Sequence, residues 1–176
     1  MLCCARSGGG IVMKIWIVAA AAAAMGVAAQ ASARGPGITS QFTSMSHCRL
    51  LDHGRNDEDW VSYKCPGIGG AHAWQLFHEG TRMELGFGRK EHYAGMYPAV
   101  MDKRWRLEWR LSGGKPFAVI VRVKHMEDAP GSSLIVYRLR DDGKSCVIGE
   151  ADDNARARAI ADAAAANYKC ELEPDN

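Results

Sequence analysis

The chain has 176 residues, with 22 Lys plus Arg against 20 Asp plus Glu and a formal net charge of +2. So small a balance creates no global field for nucleic acid or an anionic membrane surface. The length suits one domain with one core once an export segment is set aside.

That segment comes first in the chain. Lys14 precedes Ile15-Trp16-Ile17-Val18 and the alanine run Ala19 to Ala24, which continues through Val27 and ends in Ala28-Ala29-Gln30-Ala31-Ser32-Ala33. A basic flank, an apolar run and small residues in A-x-A spacing are the parts of a secretory signal. Cleavage would leave a chain beginning near Ser32 or Arg34. The run is shorter than the roughly 20 apolar residues of a membrane anchor, and Cys3 and Cys4 lie upstream of it, where a lipid anchor would not use them. Residues 1–12 add nothing the signal needs, and Met13 would serve as a start. The expected organisation is residues 1–33 as N-terminal extension plus signal, 34–46 as a flexible lead-in, and 47–176 as a single β-rich domain. The expected location is the periplasm or the exterior, with no membrane anchor after cleavage. From Arg34 onward 143 residues remain, with 20 bases against 20 acids.

Trp60 to Cys65 reads as a strand, with Val61, Tyr63 and Cys65 on one side. Pro66-Gly67-Ile68-Gly69-Gly70 breaks it. Trp74 to Phe77 is the next strand, and Arg82 to Phe87 alternates cleanly, with Met83, Leu85 and Phe87 on one side. Gly88 to Asp102 is the longest loop inside the domain. Trp105 to Leu111 alternates, Ser112-Gly113-Gly114-Lys115 turns, and Phe117 to Lys124 follows, which makes residues 105–124 a β-hairpin. After a turn at Ala129-Pro130-Gly131, Leu134 to Arg140 and Cys146 to Gly149 form a second hairpin about Asp141-Asp142-Gly143. Behind the caps Asp152, Asp153 and Asn154, Ala155 to Tyr168 is helical, with Ala155, Ala159, Ala163 and Ala166 as a small-residue face. The fold class is α+β: an antiparallel sheet of six to seven strands, one C-terminal helix and two disulfides.

Four cysteines follow the signal, and an even number in an exported chain argues for disulfides. Three pairings are open. Cys48–Cys65 and Cys146–Cys170 are favoured because each closes a short loop between neighbouring elements, and each would contribute roughly 3 kcal/mol. A zinc site lacks any C-x₂-C spacing.

The combination of Cys48, Tyr63-Lys64-Cys65-Pro66-Gly67, Trp109-Arg110-Leu111, Gly114-Lys115-Pro116-Phe117-Ala118 and the Cys146 to Cys170 tail resembles a group of small uncharacterised exported proteins of Gram-negative bacteria. The resemblance runs from Cys48 to Cys170 and implies a periplasmic location, with no catalytic or ligand residues to carry over. Small periplasmic lysozyme inhibitors share the size and the disulfide-bonded β character.

No G-x-S-x-G, H-E-x-x-H or redox C-x-x-C occurs. No cofactor or metal is expected. Asp57-Glu58-Asp59 lacks the ligand spacing of a calcium loop, and the glycine pairs lack a phosphate-binding context. The charges are unevenly spread: Arg82 to Lys124 holds ten bases and four acids, and His125 to Asn176 six bases and eleven acids. On the hairpin, Trp105, Leu107, Trp109 and Leu111 share one face and Arg106, Glu108 and Arg110 the other. Arg106 and Arg110, with Arg122 and Lys124 of the paired strand, form a candidate basic binding face for a periplasmic protein or cell-wall polymer. The reading is thus a non-catalytic, inhibitor-like macromolecule-binding protein. The alternative is a small periplasmic hydrolase acting on cell-wall material, built on His72, His92 and Glu84.

Overall fold

The computed structural model describes residues 37–55, 58–79, 82–98, 105–124, 131–167 and 170. The signal and its cleavage zone, Asp57, the end of the long loop from residue 99 onward, His125, the Ala129-Pro130 part of a turn and Tyr168 lie outside the described residues. In chain order the elements are β1 (Ile38–Ser44), a 3₁₀ turn (Met45–His47), β2 (Arg49–His53), β3 (Trp60–Cys65), β4 (His72–His78), β5 (Arg82–Gly88), β6 (Met96–Pro98), β7 (Arg106–Ser112), β8 (Lys115–Lys124), β9 (Ser132–Leu139), β10 (Ser145–Ala151) and α1 (Asn154–Asn167).

The ten strands form two antiparallel sheets of five, ordered β1-β7-β8-β9-β10 and β2-β3-β4-β5-β6. This corrects the expectation of one sheet of six to seven strands. Alternation identifies the buried side of each strand but not which sheet it joins. Three strands were also hidden by composition, β2 (Arg49–His53) among them because its Asp52 and His53 read as part of a polar loop. β1 lies in the stretch read as a flexible lead-in, and β6 lies in the long loop. The lead-in reading fails over Ile38–Ser44 because this polar segment pairs with β7 along its whole length.

The inner faces of both sheets supply one core. Met83, Leu85 and Phe87 from β5 meet Leu107, Trp109 and Leu111 from β7, Val119 and Val121 from β8 and Tyr137 from β9. Phe87 contacts Trp109 and Tyr137 edge-on, with ring centroids 6.1 and 4.7 Å apart, a geometry that contributes attraction beyond that of the buried area. The first hairpin turns at Gly113 and Gly114, whose φ values of 56° and 82° suit the primed turn that matches strand twist. Cys48–Cys65 ties the start of the second sheet to the end of β3, and Cys146–Cys170 ties β10 to the chain beyond α1. Both pairs are those favoured from the sequence.

α1 lies on the outer face of the first sheet. Asp153 caps it: its Oδ1 accepts from the Arg156 amide at 2.9 Å, and its carbonyl accepts from Ala157. Ala157 and Ala161 pack against Ala118, Ile120, Leu134, Val136 and Ala151. The buried stripe is therefore Ala157, Ala161 and Ala164; of the expected Ala155, Ala159, Ala163 and Ala166, the first three are exposed and the Ala166 side chain lies outside those described. The same rotation brings Arg158 onto Glu108 and Asp162 onto Arg110 of β7. Among the described residues no helix is long and apolar enough to cross a membrane.

Candidate functional site

On the outer face of β7, alternate residues Arg106, Glu108 and Arg110 face α1 or solvent, while their neighbours enter the core. Arg110 is 8 % exposed. Its Nε and Nη2 donate to the two Asp162 oxygens at 2.9 and 2.5 Å, and its Nη1 donates to Ser40 Oγ. Ser40 Oγ donates in turn to Glu108 Oε1, which also accepts from Arg158 Nε at 2.7 Å. Burial alone would raise the Glu108 pKa. The hydrogen bonds from Arg158 and Ser40 and the charges of Arg158 and Arg110 outweigh it and hold the carboxyl below its ordinary value. Arg110 is thus no part of a binding face. The helix covers this half of the strand, and a buried guanidinium persists only with such partners.

The other half of that face is open. Leu107 pairs with Val121, so one step along the same register sets Arg106 opposite Arg122. Lys124 follows two residues later on the same side. These three cations, with Phe42, Trp105 and Asn154, line a groove of about 350 Å³, and Glu108, bonded to Ser40 and Arg158, borders it on the side of α1. The Arg106 guanidinium lies 4.7 Å from the centre of the Phe42 ring, and Arg122 Nη1 donates to Ser132 Oγ at 3.0 Å. Among the described residues none of the three has a carboxylate partner within ion-pair distance. Like charges directly opposed across strands are destabilising. Phe42, which is 48 % exposed, is a member sequence reasoning missed, and Trp105, expected on the core face, precedes β7 and lines the groove while only partly packed on the core. The available signal was the strand-forming content of Ile38, Thr39, Phe42 and Thr43.

The outer face of the second sheet carries a second cleft, of about 370 Å³, among Leu51, Asp52, Trp60, His78, Glu91 and Tyr93. His78 at this cleft lies 2.8 Å from Glu84, and Tyr93 Oη donates to Glu91 at 2.6 Å. Burial first, then that bond, pushes the Tyr93 pKa well above the usual tyrosine range. The structure does not gather the alternative catalytic set. Glu84 stands with His78. His72 lies beside Trp74 and Lys64, and His92 lies beside Lys144. Burial first, then those lysines, lowers the pKa of both histidines. Among the described residues no group of three or more His, Cys, Asp or Glu side chains is placed to hold a metal ion.

Comparison with known proteins found no matching family model, no matching curated protein and no matching solved structure.

Proposed function

We propose that the protein is an exported, non-catalytic binding protein that holds an anionic macromolecule, a periplasmic protein or a cell-wall polymer, in the groove of Arg106, Arg122 and Lys124. The observation that carries this reading is the gathering of Arg106, Arg122 and Lys124 around one groove on a face where Glu108, Arg110, Arg158 and Asp162 are all paired. Folding alone gains nothing from setting two guanidinium groups against each other; an anionic ligand turns that cost into attraction. A cross-linked sheet also presents such a groove with little ordering on binding, which suits an inhibitor-like role. Periplasmic location is supported by the signal pattern before Arg34 and by the two disulfides, which persist in oxidising compartments.

The test is a pull-down from periplasmic extract. The native protein should retain a partner at low salt and lose it as salt rises, because exposed charges are screened. The double variant Arg106→Glu, Arg122→Glu should lose it at every salt concentration. Equal retention by both proteins, or retention by neither, overturns the reading.

A further inference from the structure

Each sheet has two edges. β10 is blunted by a register shift between Val147 and Gly149 and by the Cys146–Cys170 bond. β2 has five residues, three of them Arg49, Asp52 and His53, and a register shift after Leu50. β6 has three residues and ends at Pro98. Charges, prolines, irregular pairing and short length are the devices that keep an open edge from pairing with another chain. β1 has none of them. Its sequence Ile38-Thr39-Ser40-Gln41-Phe42-Thr43-Ser44 holds no charge and no proline, and it pairs with β7 over seven consecutive residues without a shift. Beyond β7 it has no strand neighbour among the described residues. Ile38 and Phe42 are exposed along it.

The open edge and the cationic groove are continuous. Phe42 belongs to β1, and the Arg106 guanidinium lies over its ring, reaching from β7 toward the edge. A strand laid beside β1 would stand two strand spacings from β7, roughly 10 Å. An arginine and an acidic side chain together span that distance over Ser44, the residue paired with Arg106.

We infer that an acidic, extended segment of a partner protein adds to β1 as a sixth strand of this sheet. Main-chain hydrogen bonds to β1 hold it, and Asp or Glu at alternate positions meets Arg106 and the cations behind it. This rests on the groove reading and names its occupant as a polypeptide strand. A polymer lacking peptide groups would satisfy the cations but not the edge. A second copy of this chain would offer the edge but bring a second set of cations.

The experiment uses the full chain and the synthetic peptide acetyl-Thr-Glu-Val-Glu-Val-Glu-Thr-amide, with inorganic polyphosphate as a strandless polyanion. Affinity and amide hydrogen exchange are measured at low salt. The expected result is peptide binding that slows exchange at alternate amides of β1. Binding should weaken at least about tenfold in Arg106→Glu with Arg122→Glu, where like charges are brought together. It should change little in Lys115→Glu, the same reversal at an exposed site outside the groove, which also controls for folding. Peptide binding that is sensitive to the double variant but leaves β1 exchange unchanged overturns strand addition and leaves the groove reading standing. Binding of polyphosphate alone does the same and points to a polymer. Binding of neither probe overturns both. Concentration-dependent dimers without peptide, with β1 amides slowed, would give the edge to a second copy and overturn the acidic partner.

Discussion

Arg106 and Arg110 stand four residues apart on the same face of the same strand, and the fold treats them in opposite ways. Over Arg110 the sheet is roofed by α1, and every charge in that half has a partner: Arg110 with Asp162 and Ser40, and Glu108 with Arg158 and Ser40. Over Arg106 the roof ends at Asn154, and the cations Arg106, Arg122 and Lys124 line an open groove beside an aromatic ring. One half pairs its charges between a helix and a sheet, and the other leaves its cations along a groove that the helix does not cover. The same residue type, at the same periodicity, is built into the packing in one place and left at an open groove in the other. The difference is whether a second element covers it.

That contrast can be broken by mutation. The largest effect is expected at Arg110. Arg110→Ala leaves Glu108 and Asp162 without it in the buried half and should cost about 3 kcal/mol of unfolding free energy, measured by urea denaturation. A cost below about 1 kcal/mol would mean that the roofed half does not depend on its ion pairs.

A smaller effect should follow from the helix stripe. Ala161→Leu inserts a branched side chain where α1 meets the sheet and should cost about 1–3 kcal/mol. Ala163→Leu, on the exposed side, should stay within about 0.5 kcal/mol. Equal costs would contradict the observed rotation of the helix.

Acid should separate the same features. Glu108 has a folded pKa below its ordinary 4.5, so the stability it contributes is present above that value and lost as pH falls through the lowered folded one. His72 and His92 are lowered from 6.5, so each favours the folded state above that pH and loses its contribution as pH falls below it. A stability-against-pH curve should therefore decline in two stages. Arg158→Ala should shrink only the more acidic one, because Arg158 is a main cause of the Glu108 shift. An unchanged acidic stage would remove Glu108 from the account.

The smallest effect on stability is expected at Arg106 itself. Arg106→Ala removes one of two opposed cations and should change stability by no more than about 0.5 kcal/mol, in either direction, while weakening partner capture. A large destabilisation would make Arg106 a structural residue like Arg110 and close the comparison.

Much of the fold is legible from local chemistry. Met83, Leu85 and Phe87, and Leu107, Trp109 and Leu111, show their buried sides by strict alternation. Gly113-Gly114 and Asp142-Gly143 show their turns, and the spacing of Cys48, Cys65, Cys146 and Cys170 favours the pairs that form. β1 was not legible. Ser40 and Thr43 bond Glu108 and Trp109 across the sheet, and a half-exposed strand held by polar side chains looks like a loop in the sequence. The groove was legible in part: Arg106, Arg122 and Lys124 line it, Arg110 does not, and Phe42 comes from a segment set aside as lead-in.

The β-rich class, the two hairpins and the helix are readable from the chain alone, because alternation, turn glycines and helix caps act over a few residues; cysteine spacing favours one of three pairings, and that pairing forms. The tertiary structure alone decided that the strands divide into two sheets, that β1 crosses to join β7, and that α1 roofs Arg110 and stops short of Arg106. Those outcomes depend on which distant surfaces meet. A side chain's period tells which way it points from its own strand; only the packing of the whole chain tells what it finds there.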